Sequence, residues 1–360
     1  MTRVSPHSAL FGLLALLVGA GPIATAACAA DLQGRPSSEV AQATRAAPLQ
    51  AAEGAPTAER PSPTAEVAEP AAPTGTSALP TPLTPEIDYP NTLINLPGGS
   101  RVIPERFYST TLGQSTWYEV VLPPGYAVDK QRYPVLYMLH GAMGGAAEWL
   151  EIGIHQAADQ LWTEGAIAPF IIVLPEGSNS YYLNHANGGP RWGDYIAGDV
   201  VRQIDANYRT LPDPAHRAIG GLSMGGDGAL QLALHHPDVF GIVGAHSPTT
   251  RLTYDQLPGP FYGDEDYWHQ NSPLWLIENT DAAARLRIWI DDGQDDPWLP
   301  SAQALHEALL DRGVEHEYAE LEGTHEAEYW EAYQADYLRF YGSAFAASPV
   351  AAGSAIRTEQ

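Results

Sequence analysis

The chain has 360 residues, 43 acidic against 18 basic side chains, a formal net charge of −25 and one cysteine. So acidic a chain has no basic patch with which to neutralise phosphates, which excludes nucleic acid as a partner. A lone cysteine excludes an internal disulfide, so the fold stands on its core.

Residues 9–20, ALFGLLALLVGA, form an apolar run behind Arg3, and the small residues ATAACAAD follow. That order makes residues 1–30 a bacterial export signal, because Gly19, Gly21 and Pro22 break the run short of the ~20 residues a spanning helix needs. Cys28, behind Ala26 and Ala27, sits where bacterial lipoproteins carry their lipidated cysteine, although Thr25 replaces the usual aliphatic residue. Ordinary signal cleavage nearby is the alternative. The expected location is extracytoplasmic, either secreted or lipid-anchored to the membrane through Cys28. Residues 31–86 are rich in Ala, Pro, Thr and Glu, cannot bury enough apolar surface to offset their ordering entropy, and are expected to be a disordered tether. Residues 87–345 form the expected catalytic domain, and residues 346–360 a disordered tail.

Within that domain strands and helices alternate. TWYEVVLPPGY (116–126) is a strand ended by a Pro-Pro-Gly turn, and YPVLYMLHG (133–141) and APFIIVLPEG (168–177) are apolar runs of strands buried on both faces. Helical patterns cover 153–164 and 194–208. HRAIGGLS (216–223) reads as a strand, MGGDGALQLALHHP (224–237) as a helix stopped at Pro237. FGIVGAHSP (240–248), LRIWIDDG (286–293) and EHEYAELEG (315–323) supply further strands, with helices near 300–312 and 326–343. This alternation predicts an α/β fold: a mostly parallel central sheet with helices on both faces.

GGLSMGGDGAL (220–230) crowds glycines around Ser223 where a predicted strand meets a predicted helix. Gly221-Leu222-Ser223-Met224-Gly225 matches G-x-S-x-G in the setting that a nucleophile elbow requires. Glycines on either side remove the Cβ atoms that would block so sharp a turn, and the helix start brings its positive dipole end to the serine. A serine hydroxyl needs a base. Of twelve histidines, His325 in LEGTHEAEYW lies on a loop after the last strand, which suits the chain order nucleophile, acid, histidine. His235 and His236 end the serine's own helix, His246 follows a strand, and His306 and His316 fall in a helix and a strand. For the acid, the loop after LRIWI offers Asp291, Asp292, Asp295 and Asp296; position past the strand end favours Asp295 or Asp296, while the group also fits an acidic turn. Oxyanion donors are expected from the Met224 amide and from the glycine-rich loop HGAMGGAAEW (140–149), where Ala142 follows the His-Gly step and His140 orients the loop. No His-Glu pair completes H-E-x-x-H, and no phosphate-binding glycine motif appears, so neither a metal nor a nucleotide cofactor is implied.

Together YPVLYMLHGAMGGAAEWL, APFIIVLPEG, GGLSMGGDGALQLALHHPDVFG, IDDGQDDPW and GTHEAEYW resemble the esterase family of α/β-hydrolases over roughly residues 100–343. That family includes S-formylglutathione hydrolase, feruloyl and acetyl-xylan esterases, enterochelin esterases and mycolyltransferases. The resemblance implies Ser223 as nucleophile and His325 as base. It places the acid at Asp296, through the G-x-x-D step from Gly293, and the oxyanion amides at Ala142 and Met224. It implies hydrolysis of a small-molecule or carbohydrate carboxylic ester through an acyl-Ser223 intermediate. The alternatives are acyl transfer to a sugar or glycerol hydroxyl by the same triad, and an idle binding module on a tether. The aromatic-rich segments 178–195 and 261–270 either border the site or pack loops on the domain surface.

Overall fold

A computed structural model describes residues 93–254 and 263–347. The export signal with Cys28, the tether to residue 86 and most of the expected tail lie outside the described residues.

Two leading strands, β1 (Ile94–Asn95) and β2 (Arg101–Ser109), precede β3 (Gln114–Leu122) and β4 (Val135–Leu139). Next come helices α1 (Glu148–Ile152) and α2 (Ile154–Thr163), then β5 (Ile171–Pro175). The predicted helix at 194–208 is composite: α3 (Trp192–Asp194) widens into a π turn over Tyr195–Val200 and continues as α4 (Val201–Asn207). The chain then runs through β6 (Arg217–Leu222), α5 (Met224–His235), β7 (Ile242–His246), α6 (Glu265–Asn271), α7 (Pro273–Asn279) and β8 (Arg287–Gly293). It ends with α8 (Leu299–Asp311), β9 (Glu317–Leu321) and α9 (Ala327–Ala346), the last helix reaching one residue into the expected tail.

These strands form one sheet in the order β1-β2-β3-β5-β4-β6-β7-β8-β9. β1, β2, β3 and β5 pair antiparallel; every pairing from β5 to β9 is parallel. Every residue of β4, β5 and β7 is buried, which explains their continuous apolar runs. Period-two alternation divides β4 between two cores: Val135, Tyr137 and Leu139 pack with residues of α4, α5 and α8. Leu136 and Met138 pack on the opposite side with residues of α2 and α9. Helices therefore cover both faces, and the chemistry collects where β4, β5, β6, β7 and β8 end together.

Candidate active site

Ser223 stands between β6 and α5 with φ 54° and ψ −118°, a conformation that L-residues rarely adopt. Its N–H donates to His246 O at 2.9 Å, and its carbonyl accepts from Gly226 N at 3.0 Å and Thr249 N at 3.3 Å, so the turn is pinned on both sides. A Cβ on Gly221 would strike the Gly225 backbone, and one on Gly225 would strike the Leu139 carbonyl. Both glycines are there because backbone fills the space a side chain needs.

The loops after β8 and β9 bring up the partners. Gln294 N donates to Leu321 O at 2.7 Å and Asp295 N to Gly323 O at 3.0 Å, zipping the two loops together. His325 Nε2 lies 2.8 Å from Ser223 Oγ, and His325 Nδ1 2.7 Å from Asp296 Oδ2. Asp296 Oδ1 also accepts the Trp298 N–H at 2.8 Å. Burial of Asp296 favours its neutral form, but the hydrogen bond from His325 and that from Trp298 outweigh it and hold the carboxyl below its ordinary range. Trp330 sets its edge against the His325 ring, 5.2 Å between centroids, and braces it. A hydroxyl on a strained turn, an imidazole and a carboxylate in hydrogen-bonded sequence can relay a proton from the hydroxyl.

Of the other candidates, Asp295 is exposed, whereas Asp291 and Asp292 are fully buried on β8 rather than part of an acidic turn. Asp291 accepts His246 Nδ1 at 2.6 Å and the hydroxyls of Tyr329 and Tyr337 at 2.9 Å each, so His246 belongs to a network beneath the sheet end. His306 and His316 bond each other at 2.7 Å away from the serine's partners.

The loop after β4 is shaped by His140 and by two acids that the sequence did not single out. Glu148 Oε2 takes the Gly141 N–H at 2.6 Å, and Glu176 Oε2 takes that of Ala146 at 3.2 Å. His140 Nε2 accepts the Gly177 N–H at 2.9 Å, which leaves Nδ1 to donate to Gly141 O at 2.8 Å: a neutral imidazole that orients the loop. Tyr182 OH donates to His140 O at 3.0 Å. No acceptor among the described residues takes the N–H of Ala142 or of Met224. The only signal for Glu148 and Glu176 in the sequence was an acid within or beside a glycine-rich loop, which the surface produces everywhere.

Backbone strain marks the same place independently. Among the described residues, the non-glycine positions with positive φ are Met143, Ser178, Tyr181, Tyr182, Ser223 and Ser247. They follow the ends of β4, β5, β6 and β7, and such strain persists only where the surroundings over-determine it. Tyr181 packs beside Arg251, whose guanidinium lies 4.4 Å from its ring and 5.7 Å from that of Trp298. Of the aromatic segments, 178–195 thus borders the site through Tyr181 and Tyr182, while Trp268 packs on Leu183.

The sequence matches the protein family described as "Putative esterase" over residues 109–341. An esterase of Mycobacterium tuberculosis (strain ATCC 25618 / H37Rv) is 28% identical over 263 residues, covering 61% of this chain and 54% of its own; this chain spans about half that relative's length. An acetyl esterase of Caldicellulosiruptor saccharolyticus is 27% identical over 258 residues, covering 64% of this chain and 94% of that one. Among solved structures, a ferulic acid esterase superposes with a TM-score of 0.63 at 27% identity, over 68% of this chain and 98% of that one. An S-formylglutathione hydrolase from Agrobacterium tumefaciens, at 20% identity and a TM-score of 0.59, shares the fold. The family match covers more than half of the chain, and with the mostly parallel sheet and its flanking helices it identifies this protein as a member of the esterase family with the α/β-hydrolase fold.

Proposed function

We propose that this protein is a serine hydrolase of carboxylic esters that works through an acyl-Ser223 intermediate. The observation that carries the reading is the unbroken relay from Ser223 Oγ through His325 to Asp296. As Ser223 Oγ adds to the ester carbonyl, His325 Nε2 takes its proton, and the imidazolium is stabilised by Asp296 at Nδ1. The unpaired amides of Ala142 and Met224 receive the oxyanion. Collapse breaks the carbon–oxygen bond and Nε2 returns the proton to the departing alkoxide. Water then enters by the same route, leaving the acid product and a re-protonated Ser223.

The relatives include an acetyl esterase and a ferulic acid esterase, and the reading takes small-molecule or carbohydrate esters as the substrate class. The apolar run 9–20 and Cys28 support an extracytoplasmic location, secreted or lipid-anchored. Fractionating cells that carry wild type or Cys28→Ala tests the anchor: release by the substitution supports lipidation, and unchanged membrane retention rejects it.

The test of mechanism is Ser223→Ala with a fluorophosphonate probe. Labelling is expected to vanish and turnover of a soluble ester to fall by about 10³–10⁶, with the melting temperature little changed. A variant that still turns over most of the substrate rejects the assignment. Product analysis with glycerol or a sugar present separates hydrolysis from acyl transfer.

A further inference from the structure

We propose that Asp292 is a positioning residue: a protonated carboxyl that donates a hydrogen bond to Asp296 and fixes it against His325. The inference rests on the reading of Ser223, His325 and Asp296 as the catalytic relay.

Neighbouring residues on a strand point to opposite faces, so Asp291 and Asp292 enter different surroundings. Asp291 has three donors. Asp292 is equally buried, at 0% exposure, yet receives a single N–H, from Gly293 to Oδ1 at 2.8 Å. Its Oδ2 is buried with no donor. Asp296 is turned back over the end of β8 by its N–H to Gly293 O at 3.0 Å, which brings its buried carboxyl to that of Asp292, and two carboxylates can share a hydrogen bond only through a proton. One proton between them resolves both facts, because it satisfies the orphan oxygen and removes the repulsion of two buried like charges.

Which carboxyl holds the proton follows from the other partners. Asp296 faces His325 and the Trp298 N–H, both of which favour the anion. Asp292 faces no such partner beyond Gly293, and no Lys or Arg pairs with either carboxyl among the described residues. Burial, with the Asp296 charge adding to it, pushes Asp292 up to about 9. The other titratable groups around it are Asp291 on its own strand, Tyr318 and Glu320 on β9 and Tyr329 on α9. None is a cation that could favour an ionised Asp292.

The third hydrogen bond gives Asp296 a fixed rotamer with one oxygen on His325. It also draws electron density from the carboxylate, so the Nδ1 proton stays on the imidazole as the imidazolium forms.

The experiment compares wild type, Asp292→Asn, Asp292→Ala and Asp296→Asn on one soluble ester from pH 6 to 10. Asparagine keeps a donor toward Asp296 without titrating, so kcat at pH 7 is expected within about threefold of wild type. Alanine removes the donor and is expected to lower kcat about tenfold or more with KM within about twofold. Wild-type kcat is expected to fall as pH passes about 9, where Asp292 ionises, and Asp292→Asn to lack that fall. Asp292→Asn losing as much kcat as Asp292→Ala, or keeping the alkaline fall, overturns the assignment; the pH comparison stands even if Asp292→Ala does not fold. An inactive Asp296→Asn beside a fully active Asp292→Ala overturns this inference alone. A fully active Asp296→Asn overturns the relay on which it rests.

Discussion

Asp291 sits under three donors, Asp292 behind Gly293, Asp295 in solvent and Asp296 on His325, all within six residues of one chain. The sequence narrowed the acid to the loop after LRIWI by chain order, and the G-x-x-D step singled out Asp296. It could not sort Asp291 from Asp292, because the alternation over Arg287–Ile290 stops there and both aspartates are buried, one toward each face. Asp296→Asn is expected to lower kcat by about 10²–10⁴ in a stopped ester assay, since the amide cannot stabilise the imidazolium. Asp295→Asn is expected to stay near wild type. Asp291→Asn behaves differently again. An amide in its place turns an N–H group toward donors, one of them from His246 or a tyrosine, with no water to compensate. A loss of about 2–4 kcal/mol in urea unfolding is expected, with kcat of the folded fraction preserved. A stable Asp291→Asn would mean that the network holds nothing in place.

The glycines of α5 show how one element sets the site. In an exposed helix, Gly→Ala stabilises by up to about 1 kcal/mol through propensity. At Gly228 a Cβ would lie 2.5 Å from Tyr182 Cδ2 and 3.0 Å from its Cβ. Tyr182 is already held at φ 54° and hydrogen-bonded to His140 O, so it cannot give way without moving the loop after β4. Gly228→Ala is therefore expected to lower stability by about 1–3 kcal/mol and to lower kcat together with it, measured by urea titration and ester turnover. Stabilisation instead would show that Tyr182 is free to move. Helix α5 and its flanking strands were legible because G-x-S-x-G and two apolar runs agree. Strand β2 was not, because Pro104 interrupts it. Among the described residues β1 pairs only with Val102 and Arg101, so Pro104 sits beyond that pairing in β2. Helices α6 and α7 have seven residues each, too few to show a period, although the Ser272 cap with Pro273 behind it is a start signal.

Across the whole chain, the residues of the relay all lie beyond residue 87. Residues 31–86 carry no motif of the relay, so removing residues 1–85 is expected to leave kcat/KM on a small soluble ester within about twofold; a large loss would tie that segment to catalysis. Stability against pH depends in part on acids buried within the sheet. Glu119 on β3 lies opposite Pro104 and Leu174 and is 6% exposed, and burial raises it to about 7. Between pH ~4.5 and ~7 the folded chain holds this proton while the unfolded chain has lost it, so stability falls as pH rises through that window. Asp292 extends the same trend toward pH 9. Asp199 and Asp296, held below their ordinary range, act oppositely: their contribution is present above the unfolded value and is lost as pH falls through the folded one. His155, His185, His235 and His306, lowered by burial, also oppose Glu119, because their contribution is lost as pH falls below the ordinary histidine value, so the test isolates Glu119 by comparison with wild type. Glu119→Gln keeps the shape and removes the titration, so it is expected to abolish a loss on the order of 2 kcal/mol between pH 5 and pH 8. It should be less sensitive to pH than wild type there and at least as stable at pH 8. Unfolding both proteins in urea at pH 5, 6, 7 and 8 decides it: parallel curves would place an ionised, solvated carboxylate at position 119 and remove burial as the cause.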